Sequence, residues 1–362
     1  MKKNKEILIF GAGAIGRGFL APKLFEKNYS ISFVDNNQNL IKKLKKRKKY
    51  TAAFTNGDNY KLHEVYIKDI YDINERFDVS KYDIIFTCVG PNQCYEIQKK
   101  FKRAKNIFSC ENDLNSKKII QQTTNIKNVY FAIPDVITSN TAPKKLKKID
   151  DLCTVSEQGT LVIENNKIDF SGAIKKVPAN ELLMHWDCKL FLHNAPHAIL
   201  AYLGYQKNYK FIHEAMDNKI IKKIVTLSMK EISEGIIKSK MVNKNFVNYY
   251  MNKEIKRFEN KLLFDPISRV AREPLRKLRS DNRIILALRL AFMSRKLPIN
   301  TLIGLKAALN YKDKKDKESL YLQKLRRSLP ESRILKKFSG IEEKDPINIL
   351  LKTINLKKIL KE

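Results

Sequence analysis

Three polar side chains interrupt an otherwise apolar stretch, CKLFLHNAPHAIL over residues 188–200: Lys189, Asn194 and His197. At about 100° per residue, a continuous helix would set them at about 0°, 140° and 80°, so all three project into one sector and could meet one ligand. Taken singly, each has an ordinary alternative. Lys189 can snorkel to solvent, Asn194 can bond a neighbouring backbone group, and His197 can be a satisfied core histidine. Their joint placement among apolar neighbours argues for a site, because desolvated polar groups that converge are what chemistry needs.

A second motif is suited to an anion. In EILIFGAGAIGRGF, the apolar run Ile7 to Phe10 is followed at once by Gly11, Gly13 and Gly16 in G-x-G-x-x-G spacing, with Ala12, Ala14 and Ile15 between them. The first glycine permits a tight turn, the second lets the backbone approach a pyrophosphate, and the third allows close helix–strand contact. The helix that follows would aim its N-terminus at the anion. A second apolar run, YSISFVD, ends in Asp35, nineteen residues beyond Gly16. A carboxylate there can accept hydrogen bonds from an adenosine ribose and would repel a 2'-phosphate, which points to NAD rather than NADP.

These residues need a frame that holds them. The runs YDIIFTCVG (82–90) and NIFSC (106–110) continue an alternation of buried strands with helical patterns, the mark of a Rossmann-type doubly wound α/β sheet. Val89, at the end of the first of these runs, is the remaining residue expected against the cofactor. From about residue 186, apolar residues recur at three- and four-residue spacing, as in FIHEAMDNKIIKKIVTLSMKEISEGII and NRIILALRLAFMSRKL, so the second half should be mainly α-helical. A chain of 362 residues fits two domains: an NAD-binding domain over 1–185 and a helical substrate and catalytic domain over 186–362.

The pattern K-x-x-x-x-N-x-x-H, here Lys189, Asn194 and His197, resembles the signature of the polyol-specific long-chain dehydrogenases and reductases, the mannitol dehydrogenase family. FGAGAIGRGF, KLFLHNAPHAILAYLGY and RFENKLLFDPISRVAREPLRKLRSDNR are similar to that family's blocks, in order and at similar separations, so the resemblance covers nearly the whole chain. It implies a metal-independent, NAD-dependent dehydrogenase acting on a polyol phosphate, with mannitol 1-phosphate and fructose 6-phosphate as the expected pair. It also implies Lys189 as the general acid-base, Asn194 and Asn112 (in CEND) as amides that orient the reacting oxygen, and His197 as a ligand of substrate hydroxyls. A lysine that carries an alcohol proton near neutrality needs its pKa lowered by about 3 units from about 10.4. That costs about 4 kcal/mol, which desolvation among Leu and Phe neighbours can impose.

The chain departs from the family pattern in three places. Pro196 stands where glycine is usual, and in a straight helix it would clash with the carbonyl of Leu192, so a kink is expected there. ENDL puts Asp113 beside Asn112, and IPDVITSN keeps Asp135 but has Val136 where an arginine is common. A replacement for that arginine is expected in RVAREPLRKLR, which offers Arg269, Arg272, Arg276, Lys277 and Arg279. Arg272 and Arg276 are the preferred substrate ligands, since a guanidinium suits bidentate phosphate contacts. A sibling activity on a free polyol or a keto-hexuronate (tagaturonate, fructuronate) remains an alternative.

The formal charge of +33 raises the question of nucleic acid. Lysine is spread along the whole chain rather than gathered in one stripe, so a nucleic-acid partner is disfavoured. A non-catalytic nucleotide-binding or nucleic-acid-associated protein is kept only as a further alternative. The densest basic run, KKLKKRKKY (Lys42 to Tyr50), is expected to be a solvated helix face. Five scattered cysteines without a C-x-x-C pair argue for reduced, buried thiols rather than zinc or disulfides. No run is long and apolar enough to cross a bilayer and no convincing signal peptide opens the chain, so the expectation is a cytoplasmic protein with a small-molecule substrate and no membrane partner. Oligomeric state is left open, a monomer included.

Overall fold

The computed structural model describes residues 5–170, 172, 174–294 and 296–361. Short apolar runs build the first half. In chain order the strands are β1 (Glu6–Phe10), β2 (Ser30–Asp35), β3 (Lys49–Thr55), β4 (Tyr60–Tyr66), β5 (Asp69–Asp72) and β6 (Ile84–Thr87). They continue with β7 (Ile107–Ser109), β8 (Val129–Asp135), β9 (Thr138–Ser139), β10 (Thr154–Glu157), β11 (Thr160–Glu164) and β12 (Lys175–Val177).

Eight strands form one sheet in the order β12-β11-β8-β7-β6-β1-β2-β5. Neighbours from β5 to β8 are parallel, and β11 joins antiparallel to β8. Along β1, Ile7 and Ile9 enter one hydrophobic core while Leu8 and Phe10 enter another, so period-two alternation covers both faces. The strand order reverses at β1, the switch point where open α/β sheets leave a crevice outside their carboxyl ends. Phe10 lies opposite Val34 of β2 and Thr87 of β6, so Gly11, Asp35 and Cys88 emerge at the same edge.

A second, four-stranded sheet, β4-β3-β10-β9, was not expected from the sequence. Its β4 is mostly exposed, so it lacks the continuous apolar run that marks the main sheet. It also corrects the reading of the basic run. The helix Gln38–Arg47 ends at Lys48 in the left-handed region (φ 53°), and Lys49 and Tyr50 then open β3, with Tyr50 buried. The run is a helix face only as far as Arg47.

The second half is helical. Its centre is the helix Ala195–Gln206, apolar on every side and buried from Ala195 to Gly204. It packs against Lys219–Lys238, Ile267–Ala271, Arg283–Phe292 and Ile299–Leu309. Fully burying one Leu or Ile side chain is worth about 1.5–3 kcal/mol, so this surrounded helix anchors whatever it carries. The chain divides into two compact units: residues up to His185 together with Leu262–Phe264, and Trp186–Lys261 together with the residues from Asp265 on. The short excursion at 262–264 is held by β4, where the Tyr60 hydroxyl donates to the Leu262 carbonyl at 2.6 Å.

Among the described residues no helix is long and apolar enough to cross a membrane. None of their His, Cys, Asp and Glu side chains gather in threes that could hold a metal ion. All five cysteines are free thiols, four buried and Cys88 half-buried.

Candidate functional site

The glycine turn follows β1 directly, and its three glycines are needed for three different reasons. Gly11 has φ +96°, and a Cβ there would lie 2.7 Å from the Cys88 carbonyl oxygen. Gly13 has no heavy atom within 4 Å of where its Cβ would stand, so its backbone is open to a ligand. A Cβ on Gly16 would lie 1.9 Å from the Gly11 carbonyl oxygen and 3.1 Å from Ile9, so close packing forbids any side chain. These are the requirements of a loop that lets a pyrophosphate approach its amides, and the residues present fit a dinucleotide.

Two side chains grip the turn from behind. The buried Arg17 donates through Nε to the Ala12 carbonyl at 3.1 Å and through Nη1 to the Leu152 carbonyl, with its guanidinium 5.3 Å from the centre of the Tyr50 ring. Thr138 Oγ1 donates to the Ala14 carbonyl at 3.1 Å. The second sheet thus braces the loop, through Tyr50 of β3, Thr138 of β9 and the approach to β10. Gly16–Leu20 is a π-helical turn continued by the α-helical Ala21–Phe25, where a plain helix was expected.

Asp35 ends β2 with its carboxylate on the loop. Oδ2 accepts the Ala12 N–H at 2.8 Å and Oδ1 the Asn37 N–H at 2.8 Å, which fixes both oxygens. Each oxygen keeps further lone-pair capacity for a ribose hydroxyl. Val89 and Gly90, after β6, donate their N–H groups to the two carboxylate oxygens of Glu111 at 3.1 and 2.8 Å. Glu111 is buried, and burial raises its pKa against the pull of those two N–H groups. It stands next to Asn112, so Asn112 and Val89 are tied to one anchor.

In the second unit, Lys189–Asn194 is a π-helical turn set between Ala179–Cys188 and Ala195–Gln206. The Ala195 N–H reaches back five residues to the Leu190 carbonyl. This replaces the continuous α-helix expected through Pro196. A π turn carries an extra residue, which moves the Leu192 carbonyl out of the line of the proline ring. Pro196 then sits in the first turn of the next helix. At roughly 80° per residue across a π turn, Asn194 falls about 40° from Lys189, and His197 about 20° from it on the other side. The wide turn narrows the sector that the three residues share.

Lys189 is half-buried, and Asn194 and His197 are buried. His197 is held on two sides: its ring stacks on Phe258 at 5.1 Å between centroids and 20° between planes, and its Nε2 lies 2.9 Å from Oδ2 of Asp265. Asp265 is itself buried and takes Nε and Nη2 of Arg269 at 2.8 and 2.6 Å. Burial pushes this carboxyl up, but Arg269 and His197 outweigh it and hold it at about 2. His193, one residue before Asn194, places Nδ1 2.5 Å from Oε2 of the fully buried Glu254. Each histidine near Asn194 therefore has its own carboxylate.

The two preferred arginines are less free than expected. Arg276 Nε donates to Glu273 at 2.6 Å, and the exposed Arg272 lies 3.7 Å from the same carboxylate. Val136, where the family often has arginine, is buried, and a Cβ on Gly159 would come within 2.4 Å of its Cβ. Each unit collects its own set: Gly11 to Gly16, Asp35, Val89 and Asn112 in the first, and Lys189, Asn194, His197, Arg272 and Arg276 in the second. Sequence reasoning missed Arg17, Glu111, Glu254 and Asp265. The only local signals were a charged residue directly after the third glycine, an acid beside Asn112, and the acid in FDP.

Comparison with known proteins extends the picture. Family models described as the mannitol dehydrogenase Rossmann domain and the mannitol dehydrogenase C-terminal domain match residues 5–156 and 182–359. A mannitol-1-phosphate 5-dehydrogenase of Buchnera aphidicola subsp. Acyrthosiphon pisum is 33% identical, over 98% of this chain and 99% of its own. The enzyme of that name from Thermoanaerobacter pseudethanolicus is 31% identical, over 98% and 97%. Among solved structures, the Pseudomonas fluorescens mannitol 2-dehydrogenase ternary complex with NAD and D-mannitol shares the fold with a TM-score of 0.77 at 14% identity, covering 99% of this chain and 94% of that one.

Proposed function

The chain belongs to the mannitol dehydrogenase family, and from that premise we propose that it is an NAD-dependent dehydrogenase interconverting mannitol 1-phosphate and fructose 6-phosphate. The observation that carries this reading is the likeness, along nearly the whole chain, to relatives named for mannitol 1-phosphate.

NAD, when bound, supplies the hydride acceptor and NADH the donor. The protein's own tasks are then binding, orientation and proton transfer. The amides of the turn beyond Ala12, residues 13 to 16, would receive the pyrophosphate, and Asp35 would receive the adenosine ribose. Lys189 Nζ takes the alcohol proton during oxidation and returns it during reduction. Asn194 and Asn112 donate amide N–H bonds to the reacting oxygen, steadying developing negative charge without competing for the proton. His197, held between Phe258 and Asp265, turns its remaining ring nitrogen to a substrate hydroxyl.

The test is oxidation of NADH by the purified protein with fructose 6-phosphate, which is expected to proceed with a strong preference for NADH over NADPH. Val136 in place of an arginine favours a second reading, a sibling enzyme of free polyols or hexuronates. Turnover of free fructose or a keto-hexuronate, with none of fructose 6-phosphate, would establish it instead. Equal catalytic efficiency with both cofactors would remove the role given to Asp35.

A further inference from the structure

A cation taken out of water needs a carboxylate, a set of acceptors or a bound anion. The second unit gathers four cations, Arg272, Arg276, Lys277 and Arg283, around the short helix Pro274–Lys277 and the start of the helix Arg283–Phe292. Among the described residues no carboxylate pairs with Lys277 or Arg283. Glu273 pairs with Arg276 and Arg272, while Asp316 and Glu318 accept the backbone N–H groups of Glu273 and Arg276 at 2.7 and 3.0 Å. Lys277 is only 3% exposed, and its Nζ donates to a neutral acceptor, the Arg272 carbonyl. Among the described residues Arg283 Nε reaches only the Asn282 side-chain oxygen, at 3.3 Å.

A fully buried hydroxyl lies near this cluster. Tyr202 has no exposed surface, its hydroxyl has no hydrogen-bond partner among the described residues, and Arg283 and Arg276 are within electrostatic reach of it. Tyr202 is on the same helix as His197, and Arg283–Phe292 packs against both that helix and the π turn of Lys189 and Asn194.

We propose that Lys277, Arg283 and the Tyr202 hydroxyl form the subsite that takes the substrate's phosphate, with Arg276 at its edge. The assignment rests on the reading that the substrate is a sugar phosphate. Two charges and one hydroxyl donor match a dianion with several acceptor oxygens, and a buried orphan donor is satisfied by one of them. Burial pushes the Tyr202 phenol well up, so it stays a donor. Burial, with Arg283 and Arg276, pushes Lys277 well down, and a phosphate beside it reverses that and leaves it charged.

Steady-state kinetics with NADH and fructose 6-phosphate test the assignment. Lys277→Met and Arg283→Met are expected to raise KM for fructose 6-phosphate by at least about tenfold and Tyr202→Phe by about threefold, with kcat changed less. Inorganic phosphate supplies a readout independent of activity. It should raise the thermal midpoint of the wild type by about 2 °C at saturation and leave that of Lys277→Met unmoved. Lys277→Met keeps the stem and removes a buried amine, so its midpoint without phosphate should lie close to the wild type's. If that variant does not fold, the conservative Tyr202→Phe decides the matter by KM and midpoint shift alone.

Unchanged KM in the variants, with fructose 6-phosphate turned over normally, would overturn the subsite and leave the proposed function standing. A wild type that ignores every sugar phosphate, yet shows a phosphate shift that Lys277→Met loses, would keep the subsite and overturn the substrate reading.

Discussion

Lys189 must accept a proton in one direction of turnover and give it up in the other, so its worth lies in the chemical step and not in holding the cofactor. Lys189→Ala is therefore expected to lower kcat by about 10²–10⁴-fold, the usual range for one general acid-base group. NADH affinity, read by fluorescence titration, should change by less than about twofold, because the glycine turn and Asp35 are untouched. Near-normal turnover would remove Lys189 from the reaction. The residues that read plainly from the sequence, Gly11, Gly13, Gly16, Asp35, Lys189, Asn194 and His197, all belong to short local spacings. Those that orient them do not. Glu254 lies 61 residues from His193, Arg17 reaches across 135 residues to Leu152, and Asp265 meets His197 after three intervening α-helices, Ile212–Asp217, Lys219–Lys238 and Lys244–Glu259. A carboxylate chosen by a partner so distant leaves no periodic trace, and Asp265, held at about 2, stays ionised wherever the enzyme would work.

At the scale of elements, the parallel sheet and the helical second half were legible because buried runs and three-to-four periodicity are strong signals. The second sheet was not, since β4 is largely exposed and β9 is two residues long. The π turn was equally invisible: its sequence, KLFLHN, has no composition that separates it from an α-helix, and Pro196 could only signal that something gives way. Because the turn has already absorbed the proline, Pro196 should contribute stability by restricting the unfolded chain and not by shaping the site. Pro196→Gly, the residue usual in the family at this place, is expected to lower stability by about 1–2 kcal/mol, combining lost restriction with glycine's cost in a helix. Urea unfolding would show this as a lower midpoint at constant slope, while kcat stays within about threefold. A collapse of kcat at unchanged stability would mean instead that the proline aims Lys189 and Asn194.

The whole molecule carries 71 Lys and Arg against 38 Asp and Glu, so at least 33 cations lack a carboxylate of their own. The pairs that form are mostly exposed, such as Lys43 with Asp151, Lys48 with Asp69 and Lys336 with Glu342. Exposed pairs are worth about 0–1 kcal/mol each. Self-repulsion acts over longer range and in every direction, so it should outweigh them. The two effects respond to salt with opposite sign. Raising NaCl from about 0.01 M to about 0.15 M shortens the Debye length from about 30 Å to about 8 Å, which weakens the pairs slightly and the repulsion strongly. The thermal midpoint of the cofactor-free protein in a buffer without phosphate or sulfate should therefore rise over this range. A midpoint that falls would mean that local ion pairs, and not the net charge, dominate the surface, and the excess of lysine would then act as a network rather than as a burden.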